Sequence, residues 1–200
     1  MKYLLWLVFF IPAILIELIC YVLAPLVAIF ITTKPRTDVV KRYNKQAVTL
    51  DRDYLIKPLY WFQTHDNAVD EWWYGVYNID HWFKFAQNWT QEDYDSSKFV
   101  RYYCRVIWLW RNCAYGFHYN LFSKPKELAP IKSYEHGVEG NGFWYHLKVF
   151  NKSFQLEAHI PLSSIEPGNR YCSINIGWKA HKSTSKLLYA NRIVGFRKYR

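Results

Sequence analysis

A chain of 200 residues is long enough for one modest domain and an appendage, and a content of 51% hydrophobic and 20% aromatic residues excludes a disordered or low-complexity polymer. The net charge of +10, from 26 Lys and Arg against 16 Asp and Glu, points to a polyanionic partner such as anionic lipid or nucleic acid. Four cysteines are too few for a disulfide scaffold.

The first element is apolar. From Tyr3 to Ile31 the only charged residue is Glu17, and a helix needs about 20 such residues to cross a bilayer. The run is longer than a signal-peptide core and no small-x-small cleavage pattern follows it, so residues 1–33 are expected to be an uncleaved membrane anchor. One tilted or kinked crossing is the main expectation. Pro12 and Pro25 on either side of Glu17 also fit a re-entrant or in-plane hairpin. Five cations (Lys34, Arg36, Lys41, Arg42 and Lys45) follow the segment and Lys2 precedes it. The positive-inside rule therefore puts the C-terminal domain in the cytoplasm. Residues 34–50 are read as a basic juxtamembrane linker facing anionic head groups. The residues expected at the membrane are Trp6, Glu17, Lys34, Arg36, Lys41 and Arg42.

Residues 51–200 read as a single α+β domain, helical and irregular to about 120, with an antiparallel sheet of about four strands over 134–198. Val39 to Lys45 has room for one or two helical turns. Asp66-Asn67 marks a turn or helix start, with Asp70 and Glu71 following. Residues 92–113 carry the best soluble helix pattern. Ser96 or Ser97 is its cap, and Phe99, Tyr103, Val106, Trp110 and Cys113 make an apolar stripe. Period two then takes over in 142–150, 153–160, 170–179 and 187–196, with Asn151-Lys152 and Pro167-Gly168-Asn169 as turns. His146 and His159 fall on neighbouring strands as possible cross-strand partners. The charge is uneven along the chain: residues 51–95 carry −6 and residues 96–200 carry +12.

The strongest chemical constellation is His65, Asp66, Asp70 and Glu71. One histidine with two or three carboxylates suits Mn²⁺, Mg²⁺ or Ca²⁺, or the activation of water. The spacing matches no named metal motif. The structural alternative, capping and ion pairs to Arg101, Arg105 or Arg111, is preferred, and no cofactor is called. The other histidines are scattered, and no Gly-rich phosphate loop or GxSxG elbow is present. Nucleic-acid recognition has an inventory of cations and rings but no motif, so the anchor makes lipid the preferred polyanion.

The apolar start, the phrase Trp61-Phe62-Gln63-Thr64-His65-Asp66-Asn67 with Asp70 and Glu71, the phrase Arg111-Asn112-Cys113-Ala114-Tyr115-Gly116-Phe117, and the strand ending Gly177-Trp178-Lys179 occur in this order. Together they resemble a family of small tailed-phage proteins without an assigned activity. The resemblance implies a phage origin and a membrane address, and it supplies no catalytic residues. The reading is a membrane-anchored accessory protein at the host inner membrane, a non-enzymatic interaction module that binds a host or phage membrane protein, in host takeover or superinfection exclusion. The alternatives are a membrane-bound metal-dependent hydrolase built on the His65 cluster and a virion component.

Overall fold

The computed structural model describes residues 2–40, 46–64, 67–75, 88–112, 114–126, 129–137, 143–162, 170–180 and 185–198. These fall into two compact units. One comprises residues 15–117, and the other residues 1–14 with 118–200. The fold is mixed α+β, as expected, with an N-terminal apolar helix, but the sheet content exceeds the expectation.

Helix α1 spans Lys2–Val27 without a break, so the hairpin alternative is not formed. Pro25 has no N–H to give the carbonyl of Tyr21, four residues back. The indole Nε1 of Trp110 donates to that carbonyl instead, at 2.9 Å. The Pro25 carbonyl in turn accepts from the hydroxyl of Tyr102 at 3.0 Å. The helix therefore continues through the proline because neighbouring side chains satisfy its backbone.

In the unit of residues 15–117, β1 (Ile31–Val40) and β2 (Gln46–Leu55) form a two-stranded antiparallel sheet, with Thr33 opposite Asp53 and Lys34 opposite Arg52. Residues 34–50 thus carry β1 and the start of β2 where a linker was expected. Val39 and Val40 are strand, not helix, and residues 41–45, including Lys41 and Arg42, lie outside the described residues. A 3-10 helix, Lys57–Phe62, follows with Pro58 in its first turn. Helix α2 is Glu71–Gly75, and α3 is Gln91–Ser96, opened by a capping box between Thr90 and Asp93. The expected 92–113 helix is two helices, because Ser97 stops α3 and caps α4, Lys98–Arg111, by accepting from the Val100 N–H. Its buried residues include Val100, Cys104, Ile107 and Trp108, whereas Phe99 is 62% exposed. Of the expected stripe Val106 is buried, Cys113 lies outside the described residues, and the buried side is otherwise rotated by about one residue. Trp73, 1% exposed, stacks on Tyr94 with ring centres 4.8 Å apart and donates to Gln91 at 3.0 Å. These rings make the centre of a core that also takes in Ala24, Val27, Leu55 and Val69.

Helix α5 is Tyr115–Leu121. In the other unit, β3 (Lys124–Pro125), β4 (Lys132–Gly137), β5 (Trp144–Val149), β6 (Phe154–Pro161), β7 (Arg170–Lys179) and β8 (Lys186–Lys198) form one antiparallel sheet in the order β3-β8-β7-β6-β5-β4. The sheet has six strands, not about four. The register opposes His146 to Glu157 and His159 to Trp144, so the two histidines are not paired. Trp178, fully buried, donates to the Phe122 carbonyl at 3.0 Å and carries the Lys124 ammonium 3.7 Å above its ring. Residues 2–14 of α1 belong here. Trp6 donates to the Ala190 carbonyl at 2.9 Å, the Tyr189 hydroxyl donates to the Trp6 carbonyl at 3.1 Å, and Phe9 stacks on Phe122 at 5.0 Å.

Candidate functional site

The acidic cluster is organised by a residue that the sequence reading passed over. Arg52 sits on β2 and is 1% exposed. Its guanidinium is shared among three carboxylates. Nε donates to Asp70 Oδ1 at 2.8 Å, Nη1 to Asp38 Oδ2 at 2.7 Å and Nη2 to Glu71 Oε2 at 2.7 Å. The guanidinium also lies 4.7 Å over the Tyr74 ring. Asp70 accepts a second bond from the Asp53 backbone N–H at 3.0 Å. Asp53 accepts from Thr33 at 2.9 Å and from both Nε and Nη2 of Arg105, at 3.0 and 2.7 Å. Arg36 closes the edge of the cluster on Asp38 at 2.8 Å.

Local sequence places these groups. Asp70 directly precedes α2, and its carbonyl accepts from the Trp73 N–H. Asp70 and Glu71 are consecutive at the helix start, where both reach the same guanidinium. Helix α2 starts at Glu71, so Asp70 lies just ahead of its first turn. His65 and Asp66 lie outside the described residues. The expected cation partners are also redistributed. Arg105 takes Asp53, Arg101 donates to the carbonyls of Tyr94 and Asp95, and Arg111 lies 5.9 Å over the Trp108 ring.

Burial pushes the Asp70 carboxyl up to about 6, against the opposing pull of Arg52 and the Asp53 N–H. On Arg52, burial works against the charge and is outweighed by Asp70 and Glu71, so the guanidinium is held more firmly protonated than usual. Arg52 occupies the centre on which a metal would have to sit, and its bonds take up the inward oxygens of Asp38, Asp70 and Glu71. Among the described residues no group of three or more His, Cys, Asp or Glu side chains is placed to hold a metal ion. The arrangement ties β2 to α2 by charge, which is a structural task.

The expected membrane-contact residues separate into two sets. Trp6 packs on β8 through Tyr189 and Ala190, and Glu17 is partly buried. Lys34, exposed on β1, reaches the Tyr60 hydroxyl at 3.3 Å, while Arg36 is engaged with Asp38 and Tyr54. One helix, over Tyr3–Val27, is long and apolar enough to cross a membrane, and only 17% of its most apolar window is buried.

The phrases that stood out in the sequence have packing roles. The Gly116 position lies so close to the carbonyls of Trp61 and Gln63 that a Cβ there would approach to 2.5 and 2.6 Å. The Phe117 ring meets Trp61 and Phe62 edge-on at 5.5 and 5.1 Å. A family of unknown function, DUF7338, matches residues 1–197. The chain belongs to this family. The DUF7338 match includes α1, both phrases and all but the last residue of the six-stranded sheet. No curated protein and no solved structure matches the chain.

Proposed function

We propose that the protein is a membrane-attached interaction module, acting without catalysis at the inner face of a host membrane. The carrying observation is α1, which is apolar over Tyr3–Val27 and mostly unburied. A helix of that composition is not stable against water along its bare side. The cytoplasmic address of the main domain rests on the cations that follow α1, and the phage setting on the sequence phrases quoted above. The activity is binding of a membrane protein of the host or of another phage, in host takeover or exclusion. The hydrolase alternative loses support because Asp70 and Glu71 are both bound by Arg52.

Alkaline carbonate extraction of membranes from expressing cells tests the attachment, and protease added to spheroplasts tests the address. The protein is expected in the carbonate pellet and protected from external protease. Release into the supernatant refutes the attachment, and cleavage from outside refutes the address.

A further inference from the structure

The apolar residues of α1 do not surround the helix evenly. Leu4, Ile11, Leu15, Leu18, Val22 and Leu26 are each between 55% and 78% exposed. With Leu7, Val8 and Ile19, which are 55–60% exposed, they fall within about 120° of arc at 3.6 residues per turn. The opposite side is packed within each unit. Trp6 and Phe9 lie on Tyr189 and Phe122, and Ala13 is fully buried. Cys20, Ala24 and Val27 are 2–5% exposed, and the carbonyls of Tyr21 and Pro25 are held by α4. Glu17, the one charged residue from Tyr3 to Val27, is partly buried and its wheel position belongs to the packed side. The bare face therefore carries no charge along its length.

We infer that α1 lies in the plane of a bilayer surface, its bare face sunk among the acyl chains and its other side held by the residues packed on it within each unit, rather than crossing the membrane. This deepens the membrane-attached reading and rests on it. A crossing helix of this length would take its packed side into hydrocarbon together with the strand on which Trp6 sits. That strand carries Asn191 and Arg192 next to Ala190, and charged residues are costly in hydrocarbon. An in-plane helix needs one apolar face and one protein-bound face, which is what each unit provides.

The occupant of the face is lipid, on three grounds. The face offers no polar partner, whereas protein interfaces carry about ten hydrogen bonds and a polar rim. A second copy of the chain would cover too little. A helix of 26 residues presents roughly 39 Å by 10 Å, so two copies bury about 800 Å², below the roughly 1,200 Å² of stable specific interfaces. The charge is complementary to an anionic surface. The unit holding residues 1–14 and 118–200 has 14 Lys and Arg against 5 Asp and Glu, a net +9, whereas residues 15–117 have 12 against 11. Tyr3 and Tyr21, 52% and 44% exposed, are five helical turns apart and border the same edge of the face, where phenol rings suit the head-group layer.

The test places a nitroxide amino acid by stop-codon suppression, one position at a time, at Leu4, Ile11, Leu15, Leu18, Val22 and Leu26. The full chain is bound to vesicles of phosphatidylethanolamine and phosphatidylglycerol. Depth is read from relative accessibility to oxygen and to a nickel chelate. All six positions are expected at one shared depth, and binding is expected to fall at least tenfold when phosphatidylglycerol is omitted. Depths that step through a profile, as for labels spread over about 33 Å of a crossing helix, overturn the in-plane inference and leave membrane attachment standing. A chain that stays off vesicles of both compositions overturns the inference and the membrane-attached reading together. Labels shielded without lipid in a chain that sediments as a dimer overturn the choice of lipid as occupant.

Discussion

Replacing Arg52 with Met removes a guanidinium that is 1% exposed and donates to Asp38, Asp70 and Glu71 at 2.7–2.8 Å. Methionine fills part of the volume, but it leaves Asp70, also 1% exposed, as a buried charge with only the Asp53 N–H opposite it. Breaking a buried pair from one side costs about 3–5 kcal/mol, most of it the uncompensated partner. Lysine does little better, because one ammonium cannot span three carboxylates in the plane that a guanidinium provides. Asp70→Asn has a different cost. Its single carbonyl oxygen must serve either Arg52 Nε or the Asp53 N–H, and its NH₂ faces the other donor. That change is expected to cost about 2–3 kcal/mol, the range for a hydrogen bond to a charged group. The double variant should cost about 1–3 kcal/mol less than the sum of the two, because both changes break one contact. Urea unfolding of the full chain, followed by fluorescence of the buried tryptophans, reads all three variants. An Arg52→Met variant within about 1 kcal/mol of wild type refutes the assignment of Arg52 as the organising cation. A rise of several degrees in wild-type melting temperature with Mn²⁺ or Ca²⁺, absent in Asp70→Asn, refutes the structural reading of the cluster.

Three further outcomes follow from other parts of the molecule. His118 is 6% exposed, and burial holds it down at about 4, against the hydrogen bond to the Ala13 backbone. The folded state therefore binds fewer protons than the unfolded state between about 4 and the ordinary 6.5, and stability present above 6.5 falls by about 3 kcal/mol as the pH drops to 4. His118→Gln should flatten this slope in melts run from pH 7 to 4, and an unchanged slope counts against it. Gly177 has a φ of 102° and would place a Cβ 2.2 Å from the Phe154 carbonyl oxygen. Gly177→Ala should lose about 2–4 kcal/mol, and a variant as stable as wild type would contradict the geometry. Trp110→Phe should cost about 1–2 kcal/mol, because the Tyr21 carbonyl loses its donor and Pro25 has no N–H to replace it. Faster amide exchange around residues 21–27 is the local signature to measure.

Strands β5 to β8 were legible because each alternates over six or more residues and the turn residues between them break the pattern. β3 is two residues long, and all six residues of β4 are exposed, so neither carries an apolar period. The β1–β2 pair was hidden by composition. Thr32-Thr33-Lys34-Pro35-Arg36 is polar enough to pass for a linker, and its strand character comes from pairing with residues 46–55. Arg52 was obscured by averaging over an acidic stretch. Its signal was local, an arginine between Asp51 and Asp53, two acids that alternate away from it on a strand. Asp70 was found because acids at a helix start have a known use. Its partner was missed because the cation comes from a strand 18 residues earlier, and the sequence reading had placed no strand there. The length and apolarity of α1 were plain. Its division into a packed and a bare side was not, because both sides are apolar and differ only in what covers them.

That division also sets an order of events during synthesis. Trp6 is held by Ala190, 184 residues later in the chain. At about 5–20 residues per second, α1 is outside the ribosome for roughly 10–40 s before the strand it packs on exists. During that time the side of α1 that carries Trp6 is open to whatever is nearby. A nascent chain in that condition is a substrate for capture at a membrane surface. On the proposed in-plane reading, folding of β8 then competes for one side of a helix whose other side is held by lipid. A chain released before β8 is made would keep the capture and lose the fold of the sheet unit, so the protein's last strand acts as the timer for its first helix.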